Sequence, residues 1–308
     1  MSVNGIHHVT AIAGDAQGNI DFYAGVLGLR LVKRTVNFDD PMTYHLYYGT
    51  EMGAPGTILT FFAWPNAYPG RAGSGQVNAT AFSAPKGSLG WWQERFKSRR
   101  VTSDLPLKRF GEEVLPFQDN SGMQLELVAA DDARPAWTGG GVPEEYAIRG
   151  MHGVTAHEEG YEMTAMLLTE TLLFTQVGQE GNRFRYRAGE GYGMIDLLCT
   201  PDGPHARGGA GTVHHIAWRV PNDADQLAWR KTLVHAGMNV SPVLDRQYFH
   251  SIYFREPGGV LFEIATDEPG FATDEPKEKL GEALKLPPWL EGAREQIEAG
   301  LQPVTLPR

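Results

Sequence analysis

A seven-residue phrase occurs twice in this chain. Gly5-Ile6-His7-His8-Val9-Thr10-Ala11 returns as Gly150-Met151-His152-Gly153-Val154-Thr155-Ala156. Two weaker copies keep the rhythm: Val77-Asn78-Ala79-Thr80-Ala81-Phe82 and Val213-His214-His215-Ile216-Ala217-Trp218. A phrase spaced roughly 60 to 75 residues apart marks one supersecondary unit, and such units bury their apolar faces by packing on their own copies. Each copy continues as a short strand, a polar loop and a helix, predicted over 18–27, 87–97, 160–174 and 223–235. Asn222 and Asp223 are N-cap residue types, and Gly237 lies just past the last helix. Alternating runs follow at 43–48, 114–117, 183–187 and 251–254, then a glycine opens a final apolar strand at 56–61, 122–127, 193–198 and 259–264.

The pattern is βαβββ four times over, an α+β fold of two cupped mixed sheets resembling half-barrels. The module boundaries are read as 1–75, 76–135, 148–205 and 210–267. A charged tail, 268–308, carries one predicted helix over 289–299 and is expected to pack on a module or a partner subunit, which leaves a homo-oligomer open. Lys+Arg 27 against Asp+Glu 37 gives a net charge of −10. With no basic block, the chain is a poor match for a phosphate backbone, so nucleic acid is not an expected partner. Cys199 is the one cysteine, which rules out an internal disulfide and a cysteine-rich zinc site. No basic-then-apolar leader and no membrane-length apolar run is seen, and a cytoplasmic protein is expected.

The repeat also supplies an internal alignment. The second position of the opening pair is His8, Ala79, Gly153 and His215; the fourth residue after the closing glycines is Thr60, Glu126, Leu197 and Glu263. Modules one and four therefore contribute His8, His215, Glu263 and Thr60, whereas modules two and three have no histidine in either slot. Two imidazoles and one carboxylate form a facial triad suited to Fe(II) or another divalent ion, and the threonine leaves coordination positions open. This predicts that module one pairs with module four. His152 aligns with His7, not His8, and a one-residue shift in a strand points a side chain to the other face. Glu263 lies in the apolar run Val260-Leu261-Phe262-Glu263-Ile264, where a carboxylate is costly unless paired or metal-bound. Glu126 lacks histidine companions and is read as an ion-pair partner. His45, in Tyr44-His45-Leu46-Tyr47, is read as structural.

These motifs resemble the vicinal oxygen chelate superfamily, which includes glyoxalase, bleomycin-resistance proteins and extradiol dioxygenases. Within it the chain is similar to the hydroquinone ring-cleaving dioxygenases. The likeness rests on Gly5-Ile6-His7-His8-Val9-Thr10, Tyr44-His45-Leu46-Tyr47, Pro55-Gly56-Thr57, Trp91-Trp92, Glu180-Gly181-Asn182-Arg183, His214-His215, Pro257-Gly258-Gly259-Val260 and Phe262-Glu263. It implies Fe(II), with Mn, Zn or Ni as alternatives, held by His8, His215 and Glu263. It further implies supporting or catalytic roles for His7, Thr10, His214, Arg246 and Tyr253, and a small aromatic substrate together with O2. In regular strands His7 and His214 point away from the metal, so either the strands bulge or these rings act from behind. The alternatives are a catechol-cleaving enzyme, a glyoxalase-like lyase or isomerase, and a non-catalytic binder of aromatic compounds.

Overall fold

Alternating apolar residues form strands here because each pleated face then meets either a core or a cup. The computed structural model describes residues 2–306. Module one supplies β1 (Ile6–Ala13), β2 (Arg30–Asn37), β3 (Asp40–Gly49) and β4 (Ile58–Ala63). Module two supplies β5 (Gln76–Pro85), β6 (Leu107–Arg109), β7 (Glu112–Gln118) and β8 (Gln124–Ala130). Module three supplies β9 (Gly150–Glu158), β10 (Thr175–Glu180), β11 (Arg183–Arg187) and β12 (Met194–Cys199). Module four supplies β13 (Thr212–Val220), β14 (Leu244–Asp245), β15 (Phe249–Arg255) and β16 (Leu261–Pro269).

They assemble into two eight-stranded mixed sheets, in the orders β14-β15-β16-β13-β1-β4-β3-β2 and β10-β11-β12-β9-β5-β8-β7-β6. Module one thus joins module four, and module two joins module three, as the histidine distribution predicts. The central seams are antiparallel, β1 on β13 and β5 on β9, while β4 and β16 lie parallel to β1 and β13.

The helices differ in form. Those of modules two and four are regular, Leu89–Arg99 and Asp223–His235, and Asn222 caps the latter by accepting from the Asp225 amide at 3.0 Å. Those of modules one and three begin as short α-helices, Ala16–Ile20 and Glu162–Met166, and widen into π-turns, Asp21–Val26 and Leu167–Thr171. The tail helix is shorter than predicted: a 3-10 turn at Glu291–Ala293 precedes an α-helix over Arg294–Gly300. The glycine at 292 falls in that turn, and the cap residue Ala293 offers no side-chain acceptor.

The tail packs on module one. Lys33, fully buried, reaches Asp274 at 2.6 Å and Glu275 at 2.5 Å, and Phe38 meets Trp289 edge-on at 5.6 Å. Phe271 and Leu280 join Val32, Tyr47, Tyr248 and Phe249 in an apolar cluster that closes one side of the module one–four cup. No helix among the described residues is long and apolar enough to cross a membrane.

Candidate metal centre

Strand register brings the three predicted ligands together. His8 on β1 and Glu263 on β16 both pair with Ala217 on β13, so the three stand in one row across the sheet. In the next row Thr60 pairs with Thr10, and Thr10 with His215. All face the cup, and the small Ala217 between His8 and Glu263 leaves space above it. His215 Nε2 lies 2.9 Å and His8 Nε2 lies 3.5 Å from Glu263 Oε2, with 3.3 Å between the two imidazole nitrogens. All three side chains are buried.

The positions of His7 and His214 are settled by two bulges. The β1–β13 register skips from Ile6 to His8 on one strand and from His215 to Val213 on the other. Each skipped residue is a histidine. A bulge turns an extra side chain away from the regular alternation, and here it brings His7 Nδ1 to 2.9 Å from His8 Nδ1 and His214 Nδ1 to 2.8 Å from His215 Nδ1. The opening strand is therefore irregular, yet His8 still faces the cup. The second sheet repeats the same skips at His152 and Asn78. His152 is thus the counterpart of His7, and it bonds Glu112 at 3.2 Å instead of lining a ligand set.

The donor set fits a divalent ion. Each ligand imidazole has its Nδ1 engaged by a neighbouring histidine, which leaves Nε2 free to coordinate. Glu263 Oε1 takes the Ser251 hydroxyl at 2.5 Å, whereas Oε2 is buried without a hydrogen-bond partner. Three ligand atoms converge around that orphaned oxygen, and a cation answers their shared need. Burial opposes ionisation of Glu263, but the flanking His8 and His215 outweigh it and hold the carboxyl well below its ordinary range. Burial lowers His215 below its ordinary value, partly offset by Glu263, and it drives His7 well below its own.

The triad opens into a cavity of about 320 Å³ walled by Phe38, Phe62, Trp64, Phe249 and Leu261, with polar groups from His45, His214, Arg246 and Tyr253. The segment before β15 delivers Arg246 to this wall, where its guanidinium stands 5.5 Å from the Tyr253 ring centre and 3.1 Å from Asp39 Oδ2. Burial, reinforced by Glu263 and only partly offset by Arg246, raises the Tyr253 phenol above its ordinary value and keeps it protonated. His45, read from sequence as structural, lines the cavity: its Nε2 meets Thr60 Oγ1 at 2.8 Å, and Thr60 meets Thr10 at 2.9 Å. Its alternation in β3 was the available signal, since His45 and Tyr47 share the cup face.

The second cup is built alike and filled differently. Register places Asp196, not the expected Leu197, opposite Thr155 in the slot that Thr60 holds opposite Thr10. The closing strand of module three is thus offset by one residue from its glycine. Arg109 bonds Glu126 at 2.8 and 3.0 Å, and Arg185 and Arg183 bond Asp196 at 2.7 and 3.1 Å. Guanidinium groups neutralise these carboxylates where the first cup presents imidazoles.

The family model Glyoxalase/Bleomycin resistance protein/Dioxygenase superfamily matches residues 5–127 and 157–264. The Bacillus subtilis (strain 168) protein named "Putative ring-cleaving dioxygenase MhqO" is 52% identical over 301 residues, covering 97% of this chain and 96% of that one. Chlorohydroquinone/hydroquinone 1,2-dioxygenase of Sphingobium indicum is 39% identical over 308 residues, covering 96% and 95%. A crystal structure of a Bacillus subtilis protein described as a "putative dioxygenase" superposes with a TM-score of 0.96 at 50% identity, over 100% of this chain and 99% of that one. Glyoxalase I of Zea mays, at 12% identity and a TM-score of 0.64 over 86% and 92%, shares the fold.

Proposed function

Because the chain belongs to the glyoxalase/bleomycin resistance protein/dioxygenase superfamily, with relatives named as ring-cleaving dioxygenases along almost its whole length, we propose that it is an Fe(II)-dependent dioxygenase opening a hydroquinone ring. The observation that carries this reading is a two-histidine, one-carboxylate triad whose fourth slot holds Thr60 and whose open side faces an aromatic-walled cavity. A triad with free positions suits a metal that must take both a substrate oxygen and O2, and Fe(II) matches this nitrogen and oxygen set. A glyoxalase-like site would use a second carboxylate where Thr60 stands. At about 320 Å³ the cavity suits one substituted ring, near the small end of ligand pockets.

His8, His215 and Glu263 would hold the iron, which would supply the electron transfer between ring and oxygen that no side chain supplies. The protein's part is orientation and proton control. His7 and His214 fix the tautomers of the two ligand imidazoles. Phe249 and Phe62 wall the ring in and exclude water. Tyr253 holds its proton at the phenol oxygen beside the triad, where it can give it to an oxygen on which negative charge develops. Arg246, against Tyr253 and always cationic, stabilises that charge. A hydroquinone would offer one hydroxyl to the ion, with its ring held among the aromatic walls of the cavity.

The test is anaerobic loading with Fe(II) followed by oxygen uptake on hydroquinones, catechols and hemithioacetals. Uptake that is fastest with hydroquinones is expected. Uptake with catechols alone would move the substrate assignment, and no uptake with any ring by iron-loaded protein would defeat the dioxygenase reading.

A further inference from the structure

Two carboxylates are buried where the two sheets meet, and the reaction uses neither. Glu158 ends β9 in module three, and Glu256 opens the turn from β15 to β16 in module four; they are 0% and 3% exposed. Both flank Gly258. Glu256 Oε2 accepts the Gly258 amide at 2.8 Å, and a Cβ built on Gly258 would run into the Glu158 carboxylate. The missing side chain at 258 is what lets the two groups approach.

Their surroundings differ. Glu256 is met by three donors: the Gly258 amide, the Val260 amide at 2.6 Å, and the Thr164 hydroxyl from module three. Glu158 is met by none, and both its oxygens are buried without a hydrogen-bond partner. An ionised carboxylate only accepts, whereas a protonated one brings its own donor. Glu256 therefore has the environment of an anion and Glu158 that of an acid. Burial first, and Glu256 second, raise the Glu158 carboxyl to about 8. Burial raises Glu256 as well, against the pull of its donors.

Neighbouring elements bring no cation onto the pair. Arg255 reaches the Gly259 carbonyl at 2.7 Å, and Glu159 meets His205 at 3.2 Å. Cys199 pairs with Glu158 across β12, but its thiol bonds the Glu159 carbonyl. His157, beside Glu158 in β9, is lowered by burial and by Arg183, and Glu162, near Thr164, is exposed. A metal ion fits poorly, because Glu158 alone has free oxygens and a calcium ion takes roughly six to eight. A proton needs no such shell.

We propose that Glu158 is kept as a neutral carboxylic acid whose O–H donates to ionised Glu256, so that one shared proton latches module three onto the β15–β16 turn. Loss of that proton to solvent at mildly alkaline pH leaves two buried anions side by side and frees the turn. The turn leads directly into Leu261 of the cavity wall and Glu263 of the triad, which links the latch to the metal cup.

Three measurements test it. In zinc-loaded protein carrying 13C at the glutamate carboxyls, the Glu158 signal, assigned by through-bond correlation, should titrate near pH 8. Titration near the ordinary 4.5 would overturn the proposal. Glu256→Gln should bring that titration down, because an amide can donate where the carboxylate could only accept; an unmoved titration would assign the shift to burial alone and refute the sharing. Denaturant unfolding supplies the third. The folded state holds the Glu158 proton to higher pH than the unfolded chain, so the latch's contribution is present in acid and lost as pH rises. Relative to Glu158→Gln, the wild-type unfolding constant should rise about tenfold per pH unit between about 5 and 8, then level off. Parallel profiles would refute the latch. Calcium that stabilised the wild type and not Glu158→Gln would put an ion in the proton's place and would equally overturn it. The wild-type carbon titration decides the matter even where a variant fails to fold.

Discussion

Glu263→Gln separates the metal role of this carboxylate from its structural one, because the two effects differ in size. The carboxylate is fully buried, held at Oε1 by Ser251 and facing two imidazole nitrogens at 2.9 and 3.5 Å. In metal-free protein the amide keeps the shape and removes a buried charge whose desolvation and ion pairing largely offset each other. The stability change should stay within about 1 kcal/mol. With metal the outcome changes. A divalent ion at one hundred times its dissociation constant stabilises the native state by about 2.7 kcal/mol. For a chain of this size that is a rise in melting temperature of roughly 5 °C. Glutamine offers only a neutral oxygen in place of the one anionic ligand. If affinity falls a hundredfold, the same metal concentration yields about 0.4 kcal/mol, or roughly 1 °C. The assay is anaerobic thermal unfolding with and without Fe(II), repeated with Mn(II) as an oxygen-stable check. A Glu263→Gln protein whose melting point rises with metal as much as the wild type's would refute the triad as the binding site.

Further outcomes follow from the same geometry. His8→Ala should abolish retention of one metal per chain by elemental analysis, whereas His152→Ala should retain it, since His152 contacts Glu112 in the other sheet. Lys33→Met leaves the buried Glu275 carboxylate without its ammonium and should cost about 3 kcal/mol in denaturant unfolding. Adding Glu275→Gln should recover most of that; no recovery would mean that the pair is not what ties the tail to module one. Metal-free protein should lose stability as pH falls below 6.5. His7 and His45 have folded values well below that ordinary value, so the unfolded chain takes up protons first, and their contribution, complete above pH 6.5, fades on acidification. A denaturant midpoint independent of pH between 6.5 and 5 would contradict buried neutral rings. Arg246→Met should lower kcat more than it weakens anaerobic hydroquinone binding, because the guanidinium acts on charge that develops during the reaction.

The repeat made the sheet pairing legible before any coordinates. A histidine pair and a lone glutamate in equivalent slots can converge only if module one meets module four, and β1 does lie against β13. Periodicity alone could not disclose the bulges at His7 and His214, because a bulge is one residue of extra strand length set by the partner strand. The same limitation displaced the fourth slot of module three: counting from Gly193 gave Leu197, while pairing with Thr155 selects Asp196. That His45 lines the cavity was hidden for a different reason. Its place there depends on Thr60 and Tyr47 sharing its face of the cup, a relation between two strands that no single segment reveals. Arg246 lies in a loop, where residue counting has least hold, and it reaches the cavity through its long side chain.

The arginine-filled cup has a consequence for how many ions the chain holds. Glu126 and Asp196 already stand in positions equivalent to Glu263 and Thr60, so the duplicated half looks only two histidines short of a centre of its own. One of those two slots resists a histidine. Gly153 occupies the counterpart of His8, and a Cβ built there would lie 2.7 Å from the Met194 carbonyl oxygen. Backbone cannot yield as a side-chain tip would. A histidine in that slot would collide with main chain, so of the twin bowls that duplication has left, only the first carries, among the described residues, a set of side chains able to grip an ion.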